Sequence, residues 1–302
     1  MVFEIVHERH GRIEVTEHVY NLIDKDKREW VPQRTEPWFA KRRKHITASI
    51  VASIVGDNPY ESRISALKKK VGHEKPFQGS AATEHGNKYE DVAIQKYEEM
   101  TGEKVIEFGL LESLNEGEEY LAGSPDGITA SGKLIEVKCP FRRKPIPGKI
   151  PGHYVHQIQL LMHILNIESC DFIEFVPEST WKPEVLQVVH EKRSEAFWFR
   201  VQPILRRFWD EVEAYWETGV LPREIQEDDE KKAGRKRKPR VITIKSEPKK
   251  QCLIPIQNST AIEKDWRPPQ AFINSVERRY AELTMVDEES ELKNETSCLI
   301  PF

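Results

Sequence analysis

The run Leu134-Ile-Glu-Val-Lys-Cys-Pro140 sets an acid and a base two residues apart inside an otherwise apolar stretch. Side chains alternate along a strand, so Glu136 and Lys138 leave one face together while Val137 points into the core. Ahead of it stands Ser124-Pro-Asp-Gly127, a turn at the end of a preceding strand, and the Ser131-Gly132 turn returns the chain alongside. That path brings Asp126 and Glu136 together. Two carboxylates converging on one point suit a hard cation, magnesium or manganese, with waters completing an octahedron. Taken alone, the same residues also fit a plain turn followed by a surface strand pair.

A third carboxylate shifts that balance. The segment Ala81 to Met100 carries apolar or aromatic residues at 89, 92, 93, 97 and 100, the stripe of a helix. On it, Gly86 and Glu90 lie four apart on one face, so Glu90 can reach past the gap left by a missing side chain. Glu84 is the competing neighbour. Around this helix the pattern predicts a helix pair over Trp38 to Val55, broken near Ile46-Thr-Ala-Ser49. Strands follow at Lys104 to Leu111, Tyr120 to Gly123, Leu134 to Cys139, Cys170 to Val176 and Val185 to His190, with helices at Tyr154 to Leu165 and Glu195 to Thr218. The order is that of an α/β core with a mixed central sheet flanked by helices.

Of the 302 residues, 46 are Lys or Arg and 50 are Asp or Glu, a net charge of −4 that would not by itself suggest a nucleic-acid partner. The distribution is uneven: residues 231–250 hold ten bases and one acid, a local +9 that leaves −13 for the rest. We therefore expect a domain over 1–222, a charged linker with a basic cluster over 223–250 and a C-terminal extension over 251–302. No apolar stretch approaches a membrane span, and the first residues lack a secretory pattern, so neither membrane insertion nor secretion is expected. Cys139, Cys170, Cys252 and Cys298 contain no CxxC pair, which argues against a zinc ribbon and for four reduced thiols. His153, His156 and His163 read as packing or surface rather than metal ligands, and Cys139 lacks a neighbouring base for nucleophilic use.

Six segments occur in a fixed order: Trp38-Phe-Ala-Lys-Arg42, Ile46-Thr-Ala-Ser49, His85-Gly86 with Glu90, Ser124-Pro-Asp-Gly127, Glu136-Val-Lys-Cys-Pro140 and Gln157-Ile-Gln159. Together, over about residues 33–215, they resemble the lambda-exonuclease-like (YqaJ-type) viral recombinase family of the PD-(D/E)xK nuclease superfamily. The resemblance implies a restriction-endonuclease-like fold and a 5′-to-3′ exonuclease that degrades one strand of linear double-stranded DNA. It implies two Mg2+ ions, with Mn2+ as substitute: Asp126 bridging, Glu136 and the Val137 carbonyl on one ion, Glu90 on the other, and Lys138 positioning the attacking water. Arg42, Ser49 and Ser124 match the family's pocket for a terminal phosphate, and Gln157 matches a position that holds a phosphate or an active-site side chain. The implied partners are double-stranded DNA ends, a single-strand annealing protein and two further copies in a homotrimer. The expected setting is the cytoplasm of a bacterial or phage-infected cell, or the nucleus for a eukaryotic virus. The alternatives are a structure-specific or restriction-like endonuclease, and an inactive DNA-end-binding scaffold. The acidic tail ending Ile300-Pro-Phe302 is similar to the C-terminal tip of bacterial single-stranded-DNA-binding proteins, which implies a peptide ligand for a replication or annealing partner.

Overall fold

The computed structural model describes residues 1–29, 31, 35–74, 79–178 and 183–234. The expected basic cluster beyond 234 and the C-terminal extension lie outside them. Chain order begins with a hairpin, β1 (Val2–His7) and β2 (Gly11–Thr16), followed by α1 (Glu17–Glu29) and α2 (Glu36–Arg43). Then come β3 (Ile46–Thr47), a single 3-10 turn (Ala48–Ile50), α3 (Val51–Val55), α4 (Arg63–Lys70) and α5 (Ala81–Thr101). Four short strands follow, β4 (Val105–Ile106), β5 (Leu111–Glu112), β6 (Leu121–Gly123) and β7 (Gly127–Thr129), ahead of β8 (Leu134–Lys138). The body closes with α6 (Gly152–Ile164), β9 (Ser169–Val176), β10 (Val185–Lys192), α7 (Glu195–Thr218) and α8 (Arg223–Gly234).

β8 is the central strand of a five-stranded sheet ordered β10-β9-β8-β7-β4, parallel to β9 and antiparallel to β7. A parallel neighbour requires a crossover, and α6 supplies it. A second sheet of three strands, β3-β6-β5, pairs β3 parallel to β6. The two faces of the β8–β9 pair carry separate cores. Leu134, Cys170 and Phe172 belong to a core shared with α6 and α7, while Ile135, Val137, Ile173 and Phe175 pack with Ala93, Ile94 and Tyr97 of α5. The alternation read from the sequence thus assigns Glu136 and Lys138 to the α6 face and Val137 to the α5 face.

Several expectations change. The strand expected over 104–111 is split: β4 joins one sheet and β5 the other, with the residues between them in neither. The stripe on α5 is rotated: Val92 and Met100 are exposed, and Ala93, Ile94 and Tyr97 carry the contact. The break between α2 and α3 contains a strand, β3. The acidic run at 224–230, expected to start a linker, is helical, since Ile225 is fully buried and Lys68 of α4 pairs with Asp228 and Asp229. Residues 2–29 form a hairpin and a helix whose Val15, Val19 and Leu22 enter the core. No helix among the described residues is long and apolar enough to cross a membrane.

Candidate active site

The C-terminal end of β8 opens into a cleft of about 660 Å³ lined by Gly86, Glu90, Asp126, Val137, Lys138 and Tyr154, among others. They arrive from α5, the turn before β7, β8 and α6. The β7–β8 hairpin carries Asp126 back against β8, where its Oδ2 accepts the Val137 amide at 2.7 Å. That bond spends one carboxylate oxygen on the strand it must face and fixes the turn. α5 brings Glu90 over the strand end, and an added Cβ at Gly86 would meet nothing within 4 Å, so the gap expected there is open. Glu84, one turn earlier, is exposed and does not line the cleft.

Glu136 is completely buried. Its Oε1 takes hydrogen bonds from Lys138 Nζ and, at 2.6 Å, from Gln157 Nε2, whereas its Oε2 is buried with no partner. Gln157 therefore holds an active-site side chain in this structure. Burial, and then the nearby Asp126, push the Glu136 carboxyl up to about 8 against the pull of Lys138. Burial opposes the Lys138 ammonium as well, but Glu136 and Asp126 outweigh it and hold its pKa above the ordinary lysine range. Two carboxylates face one ammonium, so the lysine stays charged and the more deeply buried acid yields. The Tyr154 ring lies 5.2 Å from Nζ. Burial, then Glu90, raise the Cys139 thiol to about 12, which leaves it protonated at neutral pH.

The donor set fits a hard divalent cation: oxygen ligands, carboxylates from two strand ends and a helix, and one carboxylate oxygen that no donor reaches. Among the described residues no three His, Cys, Asp or Glu side chains close around one point, because Asp126 turns to the Val137 amide and Glu136 to Lys138 and Gln157. The three histidines of α6 have other employment. His156 pairs with Asp57 at 3.0 Å, His163 stacks on Trp198 and pairs with Glu118, and His153 packs on Tyr154.

Of the residues expected to form a phosphate pocket, Arg42 and Ser49 meet directly. The parallel β3–β6 register sets Thr47 against Ala122, and a Cβ on Gly123 would stand 3.3 Å from that of Ala48, so the residues ahead of Ser49 and Ser124 lie side by side. Arg42 donates to Ser49 Oγ at 3.0 Å and lies 4.5 Å from the Trp38 ring. Burial lowers its pKa to about 10, and no acid pairs with it among the described residues. Ser124 Oγ is buried without a partner. The guanidinium is thus held by hydroxyls, those of Thr47 and Ser49, and by no carboxylate among the described residues.

Sequence reasoning missed a second acid–base pair beside the first. Glu174 of β9, the ladder partner of Lys138, is fully buried and pairs with Arg143, whose guanidinium lies 5.6 Å from the Tyr154 ring on the cleft wall. The available signal was an acid inside the apolar run Phe172-Ile-Glu-Phe-Val176, which demands a cation.

Comparison with known proteins agrees with this geometry. Residues 37–168 match the YqaJ-like viral recombinase domain. An uncharacterized protein of Acanthamoeba polyphaga mimivirus is 31% identical over 183 residues, covering 55% of this chain and 31% of that protein. A protein of African swine fever virus is 29% identical over 154 residues, covering 42% of this chain and 44% of that one. The chain thus spans less than half the length of either curated relative. Among solved structures, an alkaline exonuclease from Laribacter hongkongensis is similar over 66% of this chain and 99% of its own, with TM-score 0.51 and 26% identity. The β8 strand end, where Glu90, Asp126 and Lys138 line one cleft beside the buried Glu136, lies inside the segment, residues 37–168, that is similar to the YqaJ-like viral recombinase domain.

Proposed function

We propose that the chain is a divalent-metal-dependent exonuclease that removes nucleotides 5′ to 3′ from one strand of linear duplex DNA. The observation that carries this reading is the meeting of Glu90, Asp126 and Lys138 in one cleft beside a buried Glu136 with an unpartnered Oε2. Asp126, Glu136, the Val137 carbonyl and Glu90 are the residues that would hold magnesium or manganese, two ions to a site. The chemistry a metal would supply when bound there is polarisation of the scissile phosphate and a lowered pKa for an attacking water.

The chain's own groups do the rest. Lys138 keeps its proton and so acts as a fixed positive charge beside the attacking water, favouring hydroxide rather than serving as a base. Gln157 and Lys138 together pin Glu136 Oε1, which fixes the rotamer of the carboxylate and directs Oε2. Arg42, Ser49 and Ser124 receive the 5′-phosphate, the guanidinium through its planar fork. No covalent intermediate is needed, and the protonated Cys139 thiol takes no part. The alkaline exonuclease from Laribacter hongkongensis supports the activity by likeness. A homotrimer around the duplex and a single-strand annealing protein as partner, in viral recombination, complete the proposal.

The test is incubation with linear duplex bearing 5′-phosphate or 5′-hydroxyl ends, beside a closed circle, in magnesium or chelator. Expected are magnesium-dependent loss of the phosphorylated strand, an intact circle and an inactive Lys138→Ala variant. A nicked or cut circle would make the protein an endonuclease; binding without hydrolysis would make it a scaffold.

A further inference from the structure

Two aromatic side chains stand exposed at the lips of the cleft, and neither is needed to build it. Tyr60 is 79% exposed and Phe141 46% exposed, yet both line the cleft. They come from opposite sides of the sheet. Tyr60, in the loop between α3 and α4, sets its ring against His153 of α6 (5.5 Å), and His153 packs on Tyr154 (4.1 Å), the ring beside Lys138. Phe141, three residues past Lys138, sets its ring against His85 of α5 (5.3 Å), which in turn packs on Tyr89 (4.8 Å). A tier of rings thus climbs each wall from the metal-binding end to an exposed ring at the top.

Leaving so much aromatic surface in water is unfavourable unless something covers it, and the cleft floor between the two rings is charged. A ligand that joins flat apolar faces to an anionic backbone matches both features: a nucleic-acid strand, with its phosphate at the carboxylate and lysine end and its bases at the lips. Stacking needs no particular base, since every base presents a π-face. We propose that Tyr60 and Phe141 stack on the bases of the terminal nucleotides of the strand lying in the cleft, and so set how well an end is held without reading its sequence. The inference rests on the nuclease reading above and adds a base-binding subsite to it.

The test uses the full chain and a duplex with 2-aminopurine at the 5′-terminal position, read by fluorescence in chelator so that binding is seen without hydrolysis. Stacking by the wild-type protein quenches the probe. Tyr60→Ala with Phe141→Ala abolishes the quench and weakens binding by at least about tenfold, while Tyr60→Phe retains both. In magnesium, Tyr60→Ala raises KM by about tenfold and leaves kcat within about twofold, as expected for uniform binding. An abasic site at the terminal position lowers wild-type affinity and leaves that of the double variant unchanged. A wild-type enzyme that hydrolyses the duplex while the double variant quenches and binds equally well overturns the stacking proposal alone. A wild-type protein that neither binds nor hydrolyses the duplex overturns the nuclease reading, and this subsite with it.

Discussion

Lys70 is a buried ammonium with no acid partner among the described residues, and its removal has a calculable signature. It is the last residue of α4, and its Nζ reaches the C-terminal end of α2, where it donates to the backbone carbonyls of Arg42, at 2.7 Å, and His45. Only 8% of the residue is exposed. Burial, and then the charges of Arg42 and Arg43, lower its pKa from 10.5 to about 7. Between those values the unfolded chain holds a proton that the folded chain has shed, so stability rises with pH across the window. The penalty is fully present below about pH 7, of the order of 4–5 kcal/mol, and fades toward pH 10.5. From pH 7 to pH 9 the gain is about 2 kcal/mol.

Lys70→Met removes the titration and also leaves two carbonyls short of a donor, each a loss of roughly 1–3 kcal/mol. The absolute stabilities of the two proteins at pH 7 therefore nearly cancel, and the slope is what discriminates. Urea unfolding of both proteins at pH 7, 8 and 9 should give a wild-type curve that climbs relative to the variant by about 2 kcal/mol. All other titrating groups drop out of that difference. Parallel curves would mean that water reaches Nζ, and the reasoning would fail. The variant should also lose preference for 5′-phosphorylated ends, because the Arg42 carbonyl is the anchor that sets the guanidinium beside Ser49.

Three further outcomes follow from named contacts. Gly123→Ala would bring a Cβ to 2.4 Å from Leu161 Cδ2 and 3.3 Å from Ala48 Cβ, so thermal or urea unfolding should show a loss of about 1–3 kcal/mol; an unchanged melting point would mean that β6 and the Ala48 turn do not pack as described. Glu136→Gln should reduce hydrolysis to background while DNA binding persists. In chelator the same variant should be the more stable one above about pH 8, because the raised carboxyl penalises the folded wild type there, and the advantage should vanish as pH falls below the ordinary carboxylate range; a pH-independent difference in stability would contradict that account. Arg42→Lys keeps the charge but loses the fork, so the rate ratio of phosphorylated to hydroxylated ends should fall by about tenfold; an unchanged ratio would remove Arg42 from the phosphate pocket.

The catalytic strand was legible because a period of two is rigid: once Glu136 and Lys138 sit two apart between apolar residues, their common face is determined, and Leu134, Ile135, Val137, Phe172 and Ile173 sort onto the two cores as alternation requires. Helices tolerate more. The α5 stripe was misplaced because Val92 and Met100 are apolar but exposed, while Ile94 completes the buried face. The 104–111 strand was over-read because apolar residues there serve two sheets in succession, a change that leaves no mark in the pattern. The hairpin of residues 2–16 pairs residue by residue but shows little buried surface apart from Val15, so it gave a weak signal. Arg143 and Glu174 escaped notice because their pairing joins the loop after β8 to β9, and only the fold puts them together.

That second pair explains how the site tolerates its acids. On the α6 face of the sheet, Glu136 and Glu174 are both fully buried, and Lys138 and Arg143 answer them, one cation to each carboxylate. The Tyr154 ring lies beside both cations. Pairing of this kind offsets the desolvation that two isolated buried carboxylates would impose. Asp126 and Glu90 line the cleft beside these pairs, each partly buried. Glu136 Oε2 is buried without a donor of its own. Because Lys138 and Gln157 both engage Oε1, a ligand can occupy Oε2 without breaking the ion pair, so the lysine can keep its position and its charge while the carboxylate takes up a second partner.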